Sequence, residues 1–220
     1  MNRRESLAER LQVYFVVGSQ DCEYSMDKTI HVAREAVAGG AGILQFRDKK
    51  SRLTPGERER LAAGLQAICK EHDTLFFIND DVQMAIRLQA DGIHVGQEDM
   101  SLQQVRALVP DEMLIGVSAG TVEEAMAAKE GGADYIGVGA MYATASKDDA
   151  GEPIGPNGLA MIRKAVGPEL AIVGIGGITL ENASEVIAAG ADGVAVISAI
   201  SKAASPREAA ALLKKRILQR

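Results

Sequence analysis

The sequence predicts an α/β protein with a single domain, a (β/α)8 TIM barrel, in which the domain spans residues 1–220 and the barrel itself about 11–219. Apolar runs of strand length alternate with segments of helical periodicity along the whole chain. The runs are mostly continuous, as expected for parallel strands that are covered on both faces. No linker rich in Pro, Gly or Ser divides the chain, so one domain is expected.

The eight runs are rich in Val, Ile and Phe, which favours strands. An open doubly wound sheet is the competing architecture, and it often carries a Gly-x-Gly-x-x-Gly turn after its first strand. Here the first run is followed by Gly18-Ser19-Gln20-Asp21, which lacks that turn. We therefore predict barrel strands at 13–17, 42–47, 75–79, 92–95, 114–117, 135–138, 171–175 and 194–197.

The segments between the strands show helical spacing of apolar residues and explicit start signals. Leu61, Leu65 and Ile68 repeat at i, i+4 and i+7, which is one face of a helix. Pro55 and Pro206 suit the first position of a helix, where the missing N–H has no cost. Capping-box patterns precede four predicted helices, at Thr54/Glu57, Ser101/Gln104, Thr121/Glu124 and Ser205/Glu208.

A faint internal repeat supports the barrel. Short segments of small residues and Asp close a helix and open the second, fourth, sixth and eighth strands, at 39–42, 89–92, 131–134 and 189–193. Glycines in these segments suit left-handed helix ends. The spacing of two βα units predicts a four-fold construction.

Composition limits the class of protein. Hydrophobic residues make up 47% and charged residues 25%, which excludes a mainly disordered chain. The net charge of −6 argues against a general nucleic-acid binder or an anionic-membrane binder. The two cysteines, Cys22 and Cys69, are too few for a disulfide scaffold and lack metal-ligand spacing. No run approaches the length of a signal-peptide core or a membrane span, so we expect a cytoplasmic protein.

The carboxyl ends of the strands should hold the active site of such a barrel. The second strand ends in Gln45-Phe46-Arg47-Asp48-Lys49, and alternation puts Gln45, Arg47 and Lys49 on one side. Arg and Lys side chains there predict an anion site, since guanidinium and ammonium groups bind phosphate oxygens. A salt-bridged surface edge is the alternative.

Acidic residues follow the third and fourth strands. Asp80-Asp81 and Glu98-Asp99 place carboxylates at adjacent strand ends, and carboxylates together with substrate phosphates are the usual Mg²⁺ ligands. The alternative is that Asp80 or Asp81 caps the next helix, which would account for one of them. His94 is interpreted as a hydrogen-bonded barrel residue, because no second histidine lies at a metal spacing.

The seventh and eighth strands predict a phosphate site. Gly176-Gly177 opens the backbone after the seventh strand, and Ile197-Ser198 precedes a short helical start after the eighth. The loop 141–156 carries Thr144-Ala145-Ser146-Lys147, which could close over an anion as a lid, and Ser118 ends the fifth strand near the same mouth. With no Ser–His–Asp set, the inventory fits Mg²⁺-assisted departure of pyrophosphate followed by attack from a phosphate-tethered nucleophile.

Taken together, these motifs resemble the thiamine-phosphate synthase family over nearly all of residues 11–219. The resemblance implies a transferase that joins 4-amino-2-methyl-5-(diphosphooxymethyl)pyrimidine to a thiazole phosphate, with Mg²⁺ held by Asp80 and Asp99. It implies a homodimer. Pyrimidine-diphosphate contacts then fall on Gln45, Arg47, Lys49, Asn79, Ser118 and Lys147, and thiazole-phosphate contacts on Thr144, Ser146, Gly177, Ile197 and Ser198. Phe46, Asp48 and Ala145 complete the substrate-binding segments, and Arg47, Lys49, Ser118 and Lys147 are the expected catalytic residues.

Two departures from the family pattern stand out. The loop reads Ala143-Thr144-Ala145-Ser146-Lys147 where the family usually has Pro-Thr-x-Thr-Lys, and Gly120 stands where a histidine is usual. The alternatives are the related thiazole tautomerase, a phosphosugar isomerase or epimerase, and a non-catalytic phosphate-binding regulator. The carboxylates and cations after the second to fourth strands argue against all three.

Overall fold

A computed structural model of the chain describes residues 3–49, 51–146 and 152–219. Eight parallel strands pair in sequence order, and β1 pairs with β8 to close a barrel. The predicted (β/α)8 barrel is therefore confirmed. The strands are β1 Val13–Val17, β2 Ile43–Phe46, β3 Leu75–Asn79, β4 Gly92–Val95, β5 Leu114–Ala119, β6 Tyr135–Val138, β7 Ala171–Ile175 and β8 Gly193–Val196.

Helices connect the strands and surround the barrel. In the described ranges they are α1 Arg3–Leu11, α2 Met26–Ala38, α3 Pro55–Glu71, α4 Val82–Leu88, α5 Leu102–Leu108, α6 Val122–Glu130, α7 Gly155–Val166, α8 Ala183–Ala188, α9 Ser198–Ser201 and α10 Pro206–Leu218, with a 3₁₀ turn at Ser19–Cys22. None of the described helices is both long and apolar enough to cross a membrane.

Strand bounds differ from the prediction at three places. β2 is one residue shorter at each end than predicted, β5 extends two residues further, and β8 is displaced by one residue. The ladder nevertheless continues past β2, since the amides of Gly42 and Arg47 each donate to β1, at 2.9 Å from the carbonyl oxygens of Val13 and Val17. Apolar patterning thus located the strands, and hydrogen bonding sets their ends.

Two apolar layers form the core. The inner layer fills the barrel and includes Tyr14, Ile43 and Tyr135, while the outer layer lies between strands and helices. Leu7 and Leu11 of α1 belong to the inner layer, so this helix covers the amino-terminal end of the barrel. The carboxyl ends of the strands are left as the accessible mouth.

The predicted start signals are present in two forms. Thr54/Glu57 and Ser101/Gln104 make the full reciprocal capping box. Thr121 and Ser205 accept from the third helical amide, without the reciprocal bond being made. Glu124 instead accepts from the amide of Gly120 at 2.6 Å, so its carboxylate fixes the end of β5.

The internal repeat corresponds to a repeated clamp at the amino-terminal end of the barrel. An Asp just before an even-numbered strand accepts a hydrogen bond from a backbone amide of the preceding strand. The three pairs are Asp91 with Phe76 at 2.8 Å, Asp134 with Ile115 at 2.8 Å and Asp192 with Ile172 at 2.9 Å. Arginines Arg106 and Arg163 pair with the second and third of these carboxylates, at 2.9 and 2.6 Å.

Candidate active site

A cavity of about 460 Å³ opens at the carboxyl ends of the strands. Its walls come from the segments that follow β2, β4, β5, β6 and β7, and they include Lys49, Gln97, Asp99, Ser118, Gly120 and Thr144. The predicted location of the site at the barrel mouth matches this cavity. A second cavity of about 630 Å³ lies at the opposite end of the barrel, beside Leu7 and Leu75, and holds none of the predicted site residues.

The end of β2 separates its side chains as the alternation predicts. Ile43 belongs to the inner layer and Gln45 reaches Tyr14 inside the barrel, whereas Phe46 packs in the outer layer. Arg47 is buried, with 7% of its surface exposed. Lys49 lines the cavity. The alternative of a salt-bridged surface edge does not describe this segment, since two of its three polar side chains are buried.

Phe46 and Asp48 have structural partners in the described chain. The Phe46 ring lies 5.8 Å from the guanidinium carbon of Arg58. One carboxylate oxygen of Asp48 accepts from both the amide and the hydroxyl of Ser19, at 2.8 and 2.6 Å. These bonds join the loops after β1 and β2. The substrate contacts expected for Phe46 and Asp48 stay predictions, and neither residue lines the barrel-mouth cavity.

Two carboxylates meet beside the cavity. Asp80, which directly follows β3, interacts with Asp99 of the loop after β4, and Lys49 Nζ lies 2.8 Å from Asp80 Oδ2. Asp99 Oδ2 also accepts from the amide of Gly96 at 2.8 Å. Burial raises the pKa of Asp80 to about 6; hydrogen bonding to Lys49 lowers it, and the neighbouring Asp99 raises it. Two acidic groups thus lie together, with the Lys49 ammonium group paired to Asp80, and both Lys49 and Asp99 line the cavity.

The sequence left open whether Asp80 or Asp81 caps the helix that follows β3. In the structure Asp81 is the cap of α4. It accepts from the amide of Met84 at 2.9 Å and pairs with Arg58 at 3.1 Å. Asp80 takes no part in that cap and has a left-handed φ of 62°. Asp tolerates this conformation better than most residues, so the backbone turns Asp80 toward Lys49 while Asp81 starts α4.

The residues predicted for the thiazole phosphate meet on the other side of the mouth. A small cavity of about 20 Å³ is lined by Thr144, Ser146, Gly177, Ile197 and Ser198, together with their strand neighbours. Ser146 Oγ lies 3.4 Å from Ser198 Oγ. Ser146 stands where the family usually has threonine, so this position still supplies a hydroxyl group to the cluster. Gly177 has a φ of 65°, and a Cβ there would lie 2.7 Å from the Ala143 carbonyl. Only glycine fits this close approach.

Two further predicted residues, Asn79 and Ala145, line neither of these two cavities. Asn79 ends β3 as a buried residue and pairs in register with His94. Ala145 is exposed in the loop after β6. Lys147 lies outside the described residues, so its role stays a prediction. A Cβ at Gly120 would make only ordinary van der Waals contacts, with its nearest neighbours at 3.6 Å.

A buried polar chain inside the barrel was missed by the sequence reasoning. Gln45 Nε2 lies 2.7 Å from the Tyr14 hydroxyl, which lies 2.8 Å from that of Tyr135. Tyr135 Oη in turn lies 3.0 Å from His94 Nδ1, and His94 Nε2 lies 2.9 Å from Ser118 Oγ. The prediction that His94 is a hydrogen-bonded barrel residue is confirmed. The available signal was a tyrosine hydroxyl in each of two buried strands, since such groups need partners.

Among the described residues, no group of three or more His, Cys, Asp or Glu side chains is placed to hold a metal ion. The acidic pair Asp80–Asp99 offers two carboxylates, which matches the sparse protein ligation of Mg²⁺ bound with substrate phosphates. Their mutual repulsion is a feature that a divalent cation would relieve. The donor set therefore fits Mg²⁺ rather than a closed structural metal site.

Comparisons with known proteins agree with this geometry. A family model described as thiamine monophosphate synthase matches residues 13–200. Thiamine-phosphate synthase of Geobacillus thermodenitrificans is 51% identical over 210 residues, covering 95% of this chain and 93% of the relative. The Bacillus cereus protein of that name is 49% identical over 205 residues, covering 93% and 91%. A solved thiamine phosphate pyrophosphorylase from Pyrococcus furiosus superposes with a TM-score of 0.85 at 35% identity, covering 97% and 98%.

Proposed function

The chain belongs to the thiamine monophosphate synthase family and is a transferase of thiamine biosynthesis, and from this premise we propose which substrates its mouth holds and how. The substrates are 4-amino-2-methyl-5-(diphosphooxymethyl)pyrimidine and a thiazole phosphate, and the products are thiamine phosphate and pyrophosphate. One observation carries the proposal: the barrel-mouth cavity, lined by Lys49 and Asp99, adjoins the small cavity beside Gly177 and Ser198, and Thr144 lines both. We call the second one the glycine–hydroxyl cavity. Two anionic substrates can therefore meet in one mouth.

The diphosphate belongs on the side of β2 to β4. Lys49 lines that cavity, and Arg47 and Asn79 lie at the neighbouring strand ends. As the bond between the methylene carbon and the diphosphate oxygen breaks, negative charge grows on the departing pyrophosphate. Cationic side chains that are already in place stabilise this charge without reorganising. Lys147 joins them in the proposal.

The thiazole phosphate belongs on the side of β7 and β8. Backbone opened at Gly177 and the hydroxyls of Ser146 and Ser198 suit a phosphate monoester. Anchoring the phosphate places the thiazole nitrogen near the methylene carbon, where its lone pair forms the new C–N bond. The electron pair of the broken C–O bond leaves with pyrophosphate, so no covalent enzyme nucleophile is needed.

Mg²⁺ is the proposed metal, held by Asp80 and Asp99. When bound, it supplies Lewis-acid stabilisation of the diphosphate oxygens. The protein's own part is to hold two carboxylates at one strand edge, with Lys49 at 2.8 Å from the first. Displacement of Lys49 from Asp80 by the metal would leave its ammonium group for the diphosphate.

The alternative activities are not favoured. A thiazole tautomerase or a non-catalytic phosphate-binding regulator has no use for the paired carboxylates beside Lys49. An isomerase or epimerase would need an acid–base pair facing a sugar phosphate. The relatives that cover nine-tenths of this chain carry the synthase name.

A homodimer and a cytoplasmic location complete the proposal, both from the family resemblance. Met161 on α7 and Leu218 on α10 are 63% and 59% exposed. Light scattering on the purified protein tests the dimer, with an expected mass of twice the 23.2 kDa chain.

The direct test is an assay of the full chain with both substrates, with Mg²⁺ or with excess EDTA, quantifying thiamine phosphate and pyrophosphate. Equal amounts of both products are expected with Mg²⁺, and none with EDTA. Asp80→Asn should abolish the reaction, while the matched Asp73→Asn, an acid with 90% of its side chain exposed, should leave it unchanged. Folded protein that makes no product under either condition would overturn the proposed function.

A further inference from the structure

The buried polar chain is a series of hydrogen bonds in which each donor can be assigned. It runs from Gln45 on β2 through Tyr14 on β1 and Tyr135 on β6 to His94 on β4 and Ser118 on β5. It crosses the barrel interior, where both tyrosines are at most 1% exposed. Its last member, Ser118, lines the barrel-mouth cavity.

The donors can be assigned from one end. The amide nitrogen Gln45 Nε2 can only donate a hydrogen bond, and it donates to the Tyr14 hydroxyl. Each phenol has one proton, and burial raises the pKa of both tyrosines, so each keeps its proton. With Gln45 as donor at one end, the direction that we assign has Tyr14 donating to Tyr135 and Tyr135 donating to His94 Nδ1. A ring nitrogen that accepts is unprotonated, so in neutral imidazole the proton lies on Nε2.

We propose that Tyr14 and Tyr135 are positioning residues that hold His94 as the Nε2–H tautomer and thereby turn the Ser118 hydroxyl proton toward the cavity. Since His94 Nε2 donates to Ser118 Oγ, the serine's own proton is left to donate elsewhere. Ser118 is then presented to the substrate as a hydrogen-bond donor. The catalytic consequence, but not the tautomer, rests on the proposed function.

This direction selects the chemistry of the bound atom. A donor at Ser118 suits a ligand acceptor, such as a pyrimidine ring nitrogen or a diphosphate oxygen, whereas a serine that donates to His94 could only accept from the ligand. The opposite direction would start with Ser118 donating to His94 and would place the imidazole proton on Nδ1. The two directions of hydrogen bonding therefore differ in which nitrogen of His94 is protonated, Nε2 or Nδ1, and this can be observed.

Nitrogen NMR of the full-length protein with ¹⁵N-labelled histidine shows which ring nitrogen of His94 carries the proton, and this measurement needs no substrate. The chain has three histidines, and loss of one signal set in His94→Asn assigns His94. We expect Nε2 protonated and Nδ1 unprotonated in the wild-type protein. Tyr135→Phe or Tyr14→Phe should mix the tautomers, and Tyr24→Phe, which keeps its ring against Arg52, should not. A wild-type spectrum with the proton on Nδ1 would overturn the proposal.

A double-mutant cycle tests action through Ser118. Tyr135→Phe and Ser118→Ala should each lower kcat about tenfold with little change in KM, as expected for one misplaced hydrogen bond. If the tyrosine acts through the serine, the double variant is no slower than Ser118→Ala. Effects that multiply would show a merely structural role and overturn the proposal; Tyr14→Phe replaces Tyr135→Phe if the latter fails to fold. An inactive wild type would refute the proposed function while leaving the NMR result intact.

Discussion

The ring of Tyr135 lies against the α-carbon of Gly116, so close that a Cβ at this glycine would lie 2.1 Å from the ring's Cζ and 2.4 Å from its hydroxyl oxygen. The two residues are paired in register between β5 and β6. The Tyr135 ring therefore has room only because residue 116 has no side chain, and Gly92 makes room for the Phe77 ring in the same way. Gly116 thus has a packing function on β5, two residues before Ser118, for which we propose a chemical one.

Gly116→Ala should destabilise the fold, because the added methyl group overlaps a fully buried ring. Overpacking of this kind costs about 1–3 kcal/mol in the free energy of unfolding. Chemical denaturation measures the change. Gly120→Ala near the end of the same strand is the matched control, since its nearest neighbours would be at 3.6 Å, and it should stay within about 0.5 kcal/mol of wild type. Equal stability of both variants would contradict the packing argument.

The Mg²⁺ requirement should increase in acid. Because the pKa of Asp80 is raised to about 6, its carboxylate is protonated below that pH and must lose the proton to bind a cation. The half-saturating Mg²⁺ concentration for activity should rise by up to about tenfold per unit as pH falls below about 6. In the other direction, ionisation of Asp80 as pH rises through about 6 removes stability, because its folded pKa lies above the unfolded one.

The thermal shift produced by Mg²⁺ with pyrophosphate should follow the same pH dependence, so it checks the metal site without turnover. We expect a larger Tm increase at about pH 8 than at about pH 5. Asp80→Asn keeps a side chain that tolerates the left-handed φ of 62° and should lose the shift. A shift of equal size at both pH values would show that Asp80 does not hold the metal.

Ser198→Ala should weaken the binding of thiazole phosphate and leave that of the pyrimidine diphosphate unchanged. Its hydroxyl lines the glycine–hydroxyl cavity, and loss of a hydrogen bond to a charged phosphate costs about 1.5–3 kcal/mol. We expect the KM for thiazole phosphate to rise about tenfold or more, while the KM for the pyrimidine diphosphate stays unchanged. Lys49→Met should show the reverse selectivity in steady-state kinetics. If Ser198→Ala raised both KM values alike, the assignment of the two sides would be wrong.

The aspartate clamps should matter for stability alone. Asp192 accepts from Arg163 and from the amide of Ile172, and both partners are largely buried. Asp192→Ala should lower the free energy of unfolding by about 2–4 kcal/mol because it leaves the arginine without its carboxylate. In the control pair Arg10–Asp73 the carboxylate is 90% exposed, so Asp73→Asn, which tolerates the left-handed φ of 53° there, should change the value by less than about 1 kcal/mol. Similar losses would mean that the clamp adds nothing beyond a surface ion pair.

Much of this arrangement could be predicted from residue patterns. Strand positions follow from continuous apolar runs, and the cap at Thr54 follows from local spacing, because both depend on neighbours in sequence. The meeting of Asp80 with Asp99 and of Ser146 with Ser198 followed from barrel topology, which brings strand ends to one mouth.

Contacts across the barrel interior could not be predicted in this way. Tyr14 and Tyr135 are 121 residues apart, and their 2.8 Å hydrogen bond depends on which strand faces cross the barrel. Glu124 fits the capping-box pattern, yet its carboxylate accepts from the amide of Gly120 and not from that of Thr121. Side-chain direction inside a closed barrel is set by packing in three dimensions, so spacing alone leaves it open.

The pairing of Val13 in β1 with Val194 in β8 has a consequence for biosynthesis. Every other strand can pair with the one made just before it, but this closing pair joins segments about 180 residues apart. At about 5–20 residues per second, the ribosome needs about 10–40 s to bridge that interval. Throughout this time the edge of Val13–Val17 that pairs with β8 has no partner strand, and unpaired edges are templates for aggregation. Closure of the barrel can therefore begin only after the last strand has left the ribosome.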